Sequence, residues 1–179
     1  MEDTTQRGRS PALPRAQRRE LILDRAAELF YARGVRAVGM DELITSLGMA
    51  KMTVYRLFPT KDALVGAYLE RLRTQILAAV DRDIDEHAGD PAAAILAVLD
   101  AVEQDLARSG FRGCPFGNAA VDFDAPDHPA RQLAQTYRAG LRNRLRHLAE
   151  QLSGAPGLGD ELAVLIDGAY LSAAHLGPS

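Results

Sequence analysis

The chain has 179 residues, 47% of them apolar and 25% charged, with net charge −3 and a single cysteine, Cys114. That size holds one large domain or two small ones, and a lone cysteine excludes an internal disulfide or a multi-cysteine metal centre. The longest apolar run, residues 92–99, falls far short of the ~20 residues a membrane-spanning helix needs. The N-terminus carries arginines without an apolar stretch, unlike a secretion signal, so a reducing cytoplasm is the expected location. The charge is unevenly placed. Residues 1–61 hold eleven Lys/Arg and seven Asp/Glu, net +4, whereas residues 62–179 carry −7. A basic head on an acidic body is the asymmetry expected when one end meets a polyanion.

Residues 1–14 are polar, hold two prolines and show no period, which predicts a flexible basic arm. From Arg15, the stripe Leu21, Ile22, Arg25, Ala26, Leu29 and Phe30 predicts a helix, stopped by Gly34. Met40, Leu43, Ile44 and Leu47 make a shorter stripe, with Asp41 and Glu42 at its positive end. After Gly48 a third segment begins, with Val54, Leu57 and Phe58 facing in and Pro59 ending it. Thr60 then caps a long helix to about Glu86, with Leu64, Ala67, Tyr68, Leu72, Ile76 and Val80 inside.

Pro91 opens a helix to about Ser109 with Ile95, Leu96, Leu99, Val102 and Leu106 inside. The glycine-rich "SGFRGCPFGN", a short apolar piece and the acidic "DFDAPDHP" follow. A helix from Pro129 to about Leu152 carries Leu133, Tyr137, Leu141, Leu145, Leu148 and Leu152, and a last one carries Leu162, Leu165, Ile166, Ala169, Tyr170 and Ala173. No segment alternates as a strand does. The expectation is an all-α chain, an N-terminal three-helix unit over 15–62 followed by a helical domain over 63–179.

Two short helices joined by a Gly-containing turn form a helix-turn-helix, whose second helix reads the major groove with residues near its N-terminus. Those residues are Lys51, Met52, Thr53, Tyr55 and Arg56. Lys51 suits guanine O6/N7 or a phosphate, and the Thr53 methyl or Met52 thioether suits a thymine methyl. Tyr55 and Lys61 suit phosphates, Lys61 at a helix N-terminus. Lys51 and Lys61 are the only lysines of the chain, and residues 49–61 contain no acid, which favours a DNA-reading face over a merely solvated hairpin. "MDELITSLGMAKMTVYRLFPTKDALV", preceded by "LFYARGV", resembles the DNA-binding head of TetR-type transcriptional regulators over about residues 18–68. By position, the resemblance makes Lys51, Met52, Thr53 and Tyr55 recognition-helix contacts and Lys61 a phosphate contact. The chain departs from the family at Val38 and Gly39, where a hydroxyl residue usually opens helix two; Gly39 serves as an N-cap but gives no side-chain phosphate contact. Arg7, Arg9, Arg15, Arg18 and Arg19 belong to a basic arm that either enters a minor groove or brushes the backbone.

The resemblance implies a homodimer formed through the last two helices and an effector pocket among the earlier ones. Leu141, Leu145, Leu148, Leu162, Leu165, Ile166 and Ala169 are the interface candidates, with packing inside one chain as the alternative. Phe111, Cys114, Phe116, Phe123, Tyr137 and Tyr170 are the candidates to line the pocket, or plain core. Cys114, beside Arg112 and a helix start, is either a thiol of lowered pKa that senses electrophiles or a packing residue; packing is the favoured reading. Asp122, Asp124, Asp127 and His128 match neither a calcium loop nor a zinc motif, and helix capping at Asp127–Pro129 suits them better. His87, His147 and His175 are scattered. No metal, cofactor or active site is expected. Members of this family often continue with a further helical segment beyond the point where "AAHLGPS" ends. The reading is a repressor that binds a palindromic double-stranded operator as a dimer, is released by a small-molecule effector through a shift of helix four, and touches no membrane. The competing readings are an activator or architectural DNA binder with the same head, and a helical small-molecule-binding protein or enzyme whose helix pair is scaffold.

Overall fold

The computed structural model describes residues 13–152, 154 and 156–176. Arg7 and Arg9 of the expected arm lie outside them, and Arg15, Arg18 and Arg19 already belong to the first helix. Among the described residues the chain forms eight helices and no strand. They are α1 (Arg15–Arg33), α2 (Met40–Leu47), α3 (Lys51–Leu57), α4 (Lys61–Glu86), α5 (Pro91–Leu106), α6 (Pro115–Asp122), α7 (Pro129–Glu150) and α8 (Leu158–Leu176). α5 ends at Leu106, the last residue of its apolar stripe and three residues before the expected Ser109, and α7 ends two residues early because Leu152 lies in the turn that follows.

The head forms because short helices are closed by residues suited to their ends. Gly34 donates its N–H to the Phe30 carbonyl at 2.9 Å and ends α1. Gly48 takes the left-handed conformation (φ 61°, ψ 21°), which a side chain adopts only at a cost, and this sets the α2–α3 turn. Gly39 is the N-cap of α2 without a side-chain bond. Thr60 caps α4 by accepting from the Ala63 N–H at 3.0 Å. α3 is too short to persist alone; fully buried Val54 and nearly buried Phe58 hold it, each side chain contributing roughly 1.5–3 kcal/mol.

α1 is rotated slightly from its expected stripe. Ile22, Leu23, Ala26 and Phe30 are buried, whereas Leu21 is exposed. Phe30 then meets Tyr68 of α4 edge to face, with ring centroids 5.7 Å apart, and Arg71 of α4 pairs with Glu20 and Asp24 of α1. These contacts seat the head on the long helix.

In the body, α7 packs against α4, α5, α6 and α8. Its Arg144 grips Asp81 of α4 with two parallel hydrogen bonds. Gly159 lets α8 start against α7: a Cβ there would lie 2.5 Å from the Arg146 Cα. One side chain of the body expected inside is outside: Leu96 points to solvent because α5 buries Ala94, Ile95 and Val98 instead. Leu165, an interface candidate, is exposed, because α8 buries Leu162 and Ile166. No helix among the described residues is long and apolar enough to cross a membrane.

Candidate nucleic-acid interface and ligand cavity

α3 presents one face to the core and the other to solvent. Val54 anchors it, while Lys51, Met52 and Arg56 are exposed and Thr53 and Tyr55 half-buried. Met52 is 69% exposed, a high value for an apolar side chain with no contact to protect. Lys51 Nζ sits 5.7 Å from the centre of the Tyr55 ring and donates to Asp41 Oδ1 of α2 at 2.8 Å. That bond holds the ammonium pKa above its ordinary value. Residues 49–61 lack an acid, but the α2–α3 turn brings one in from ten residues upstream, so the free face is less purely cationic than its sequence. Lys61 opens α4 with Nζ 3.4 Å from the Arg36 carbonyl. Arg36 also approaches Asp124 at 3.9 Å. Arg19 lies over the Phe58 ring at 5.5 Å, close to the base of α3.

The body, together with α1, lines a half-open cavity of about 560 Å³, the size of a typical small-molecule site. Tyr68, Leu72, Ile76 and Val80 of α4, Val98 and Val102 of α5, Phe116 of α6, Tyr137 and Leu141 of α7, and Ile166 and Tyr170 of α8 form its apolar wall. Glu28, Tyr31, Asp83, Asp105 and Arg108 supply polar groups. Phe116 and Tyr137 stack at 4.0 Å between centroids. Burial pushes the Tyr68 phenol up to about 12 and raises Tyr137 as well, so both stay neutral. Tyr170 donates to Asp105 Oδ2 at 2.9 Å, and burial, then that carboxylate, raise its pKa.

Of the six expected pocket residues, Cys114, Phe116, Tyr137 and Tyr170 line this cavity. Phe111 does not; it packs behind Tyr170 at 5.8 Å. Phe123 does not either, since it stacks on His128 at 4.0 Å near the start of α7. His128 is the N-cap of α7, its Nδ1 accepting from the Ala130 N–H at 3.2 Å, and no metal-binding cluster forms among the described residues. Burial pushes the Cys114 thiol up, the opposite of what a reactive thiolate needs. Arg112 does not lower it, because its guanidinium turns away to the Ala32 carbonyl.

The sequence signature of the bacterial regulatory proteins of the tetR family matches residues 22–68. The chain is 32% identical over 165 residues to the HTH-type transcriptional repressor Rv3405c of Mycobacterium tuberculosis, covering 83% of this chain and 84% of that one. This chain belongs to the TetR family. It is therefore a DNA-binding transcriptional regulator with a helix-turn-helix, and not an enzyme. It is also 34% identical over 100 residues to the HTH-type transcriptional activator FasR of Mycolicibacterium smegmatis, a match covering 54% of this chain and less than half, 46%, of the activator. The TetR-family regulator SCO4454 of Streptomyces coelicolor superposes with a TM-score of 0.86 at 28% identity, over 91% of this chain and 87% of that one.

Of the expected interface residues, Leu141, Leu145, Leu148, Leu162 and Ile166 are buried within the single chain, as the packing alternative expects. Leu165 is 66% exposed, and Ala169 is half-buried. Val164 and Leu171, at helical spacing beside Leu165, are exposed too. Two of the missed cavity residues share one reason. Tyr31 and Glu28 lie on α1, which helical spacing assigns to the head, and nothing in that pattern says which side of α1 meets the body.

Proposed function

We propose that the protein is a ligand-responsive repressor that binds a twofold-symmetric operator as a homodimer and is released when a small molecule fills the body cavity. The observation that carries this reading is the solvent-facing side of α3: Lys51, Met52 and Arg56 stand out from a helix that Val54 and Phe58 fix to the core. Lys51 and Met52 are its first two residues, the part of a recognition helix that meets base edges. Thr53 and Tyr55 flank them, and Lys61 stands at the start of α4 for a phosphate. The Asp41–Lys51 pair opens when a base or phosphate replaces the carboxylate. Regulation by repression follows the Mycobacterium tuberculosis relative.

For the dimer, support comes from the row Val164, Leu165 and Leu171 on α8, with Gly168 between them and nothing within 4 Å of where its Cβ would be. Pairing of two such helices sets the recognition helices about one DNA turn, ~34 Å, apart. For the effector, support comes from the ring-lined cavity. Its wall bears Glu28, Asp83 and Asp105 against Arg108 alone, which favours a neutral or cationic amphipath over an anion. The effector shifts the equilibrium only by its preference for the released conformation.

Footprinting on the DNA upstream of the protein's own coding region, with sedimentation of the protein–DNA complex, tests the reading. Two protected half-sites about one turn apart, bound by two chains, are expected. A single protected site bound by one chain contradicts the dimer. The absence of any footprint, under conditions where the protein is folded, contradicts the regulator.

A further inference from the structure

The cavity is not a property of the body alone. Ala27, Glu28 and Tyr31 of α1, a helix of the DNA-binding head, form part of its wall. Tyr31 sits at a hydrogen-bonding junction. Its hydroxyl accepts from Arg108 Nη2 at 2.9 Å and from the Arg112 N–H at 2.8 Å, and donates to the Gly113 carbonyl at 3.3 Å. The Arg108 guanidinium also lies over the Tyr31 ring at 4.8 Å. Arg108 Nε donates to Asp105 Oδ1 at 3.0 Å, and Tyr170 donates to the other oxygen of that carboxylate.

The result is an unbroken chain, Tyr170–Asp105–Arg108–Tyr31, running from α8 to α1, with all four side chains on the cavity wall. Two residues further along, Arg33 of α1 pairs with Glu42 of α2, and six residues back Arg25 Nε donates to Ser46 Oγ of α2 at 3.0 Å. The last turns of α1 are therefore tied to the cavity on one side and to the reading unit on the other. A planar guanidinium has donors in a fixed fork. A ligand group that displaces the Asp105 carboxylate from Arg108 Nε, or competes for Nη2, therefore re-aims the donor that the Tyr31 hydroxyl accepts.

We propose that Tyr31 is a ligand-facing positioning residue supplied by the head, through which the contents of the cavity set the orientation of α1. The proposal rests on the reading of the chain as a ligand-responsive DNA binder. It adds a route through α1 that does not require α4 to move. Because coupling between two sites is reciprocal, DNA on α3 must disturb the far end of the same chain, at Tyr170, with no ligand present.

The five tyrosines make this measurable. The protein is labelled with 3-fluorotyrosine, its fluorine resonances are assigned with single Tyr→Phe variants, and the upstream DNA is titrated in. Tyr55, on the reading face, reports binding itself. Tyr137, which lies on the same cavity wall but outside the hydrogen-bonded chain, reports a general rearrangement of the body. The proposal expects Tyr170 to shift together with Tyr55, and Tyr137 to stay. In Tyr31→Phe, the Tyr55 shift should persist and the Tyr170 shift should vanish. Arg108→Lys, which keeps the charge but loses the fork, should act alike and serves where Tyr31→Phe fails to fold. If Tyr170 is silent while Tyr55 moves, or if Tyr170 and Tyr137 move equally with and without the Tyr31 hydroxyl, the proposal is overturned while DNA binding stands. If Tyr55 does not respond, the DNA-binding reading fails and the proposal falls with it.

Discussion

The head and the body use the same kind of amphipathic helix to opposite ends. In the head, α1, α2 and α3 close on Ile22, Leu23, Leu43 and Val54, all at most 1% exposed, and what matters faces outward. In the body, Tyr68, Phe116, Tyr137 and Tyr170, from α4, α6, α7 and α8, stand around a half-open space of about 560 Å³. The head core combines aliphatic side chains with Phe30 and Phe58, close-packed beneath α3. On the proposed function, the α3 face needs rigidity beneath it and an effector needs the gap; each region spends its apolar residues accordingly.

This contrast is broken most severely from the inside of the body. Phe116 is fully buried and stacked on Tyr137. Phe116→Ala is expected to lower unfolding free energy by about 3–5 kcal/mol, read by denaturant melts, while the fraction that stays folded keeps its DNA preference. A change on the head does the reverse. Lys51→Ala should leave the melt in place yet cost about 1–3 kcal/mol on the preferred DNA and relax preference at one base pair, in a fluorescence-anisotropy titration against single-base variants.

A smaller effect sharpens the account of the cavity wall. Tetraphenylphosphonium and tetraphenylborate share one shape and differ in charge. Titrated calorimetrically, the cation should bind at least about tenfold more tightly, about 1.4 kcal/mol, and equal affinity would discard the charge argument. The smallest effect concerns the strut between α4 and α7. Hydrogen bonding from Arg144 holds the Asp81 carboxyl below the usual carboxylate range, so its contribution is complete above the ordinary value of about 4 and fades as pH falls through the lowered one. The carboxylate is half exposed, so Asp81→Asn should cost less than about 1 kcal/mol near pH 7. As pH falls through that lowered value, the difference from the unmodified chain should shrink.

The same contrast explains what the sequence made readable. The head is legible because its geometry is local. Gly34, Gly48, Pro59 and Thr60 fix helix ends within a few residues of the side chains they position, and the exposed face of α3 follows directly. Asp41 beside Lys51 was missed because the α2–α3 turn, not sequence proximity, brings them together. In the body, helical spacing shows that a residue faces inward but not whether it meets another helix or a void. Tyr137 and Leu141 share one stripe with Leu145 and Leu148, yet the first two line the cavity and the other two fill the core. Leu96 was assigned inward because a stripe of apolar residues on a nearly all-apolar helix has no unique centre. Phe123 and Phe111 were placed at the pocket for being aromatic; Phe123 stacks on His128 away from it, and Phe111 packs on Tyr170 without reaching the cavity itself.

The most direct test of the whole account is the affinity of the intact protein for its own upstream DNA and for random duplex, measured across a tenfold range of salt. If the α3 face reads bases over a phosphate-bound frame, both affinities fall steeply, by about 0.9 log units per phosphate contact. The preference for the upstream fragment survives throughout, and Lys61→Ala lowers both while reducing the slope by about one unit. Equal affinity for the two duplexes at every salt concentration would contradict it.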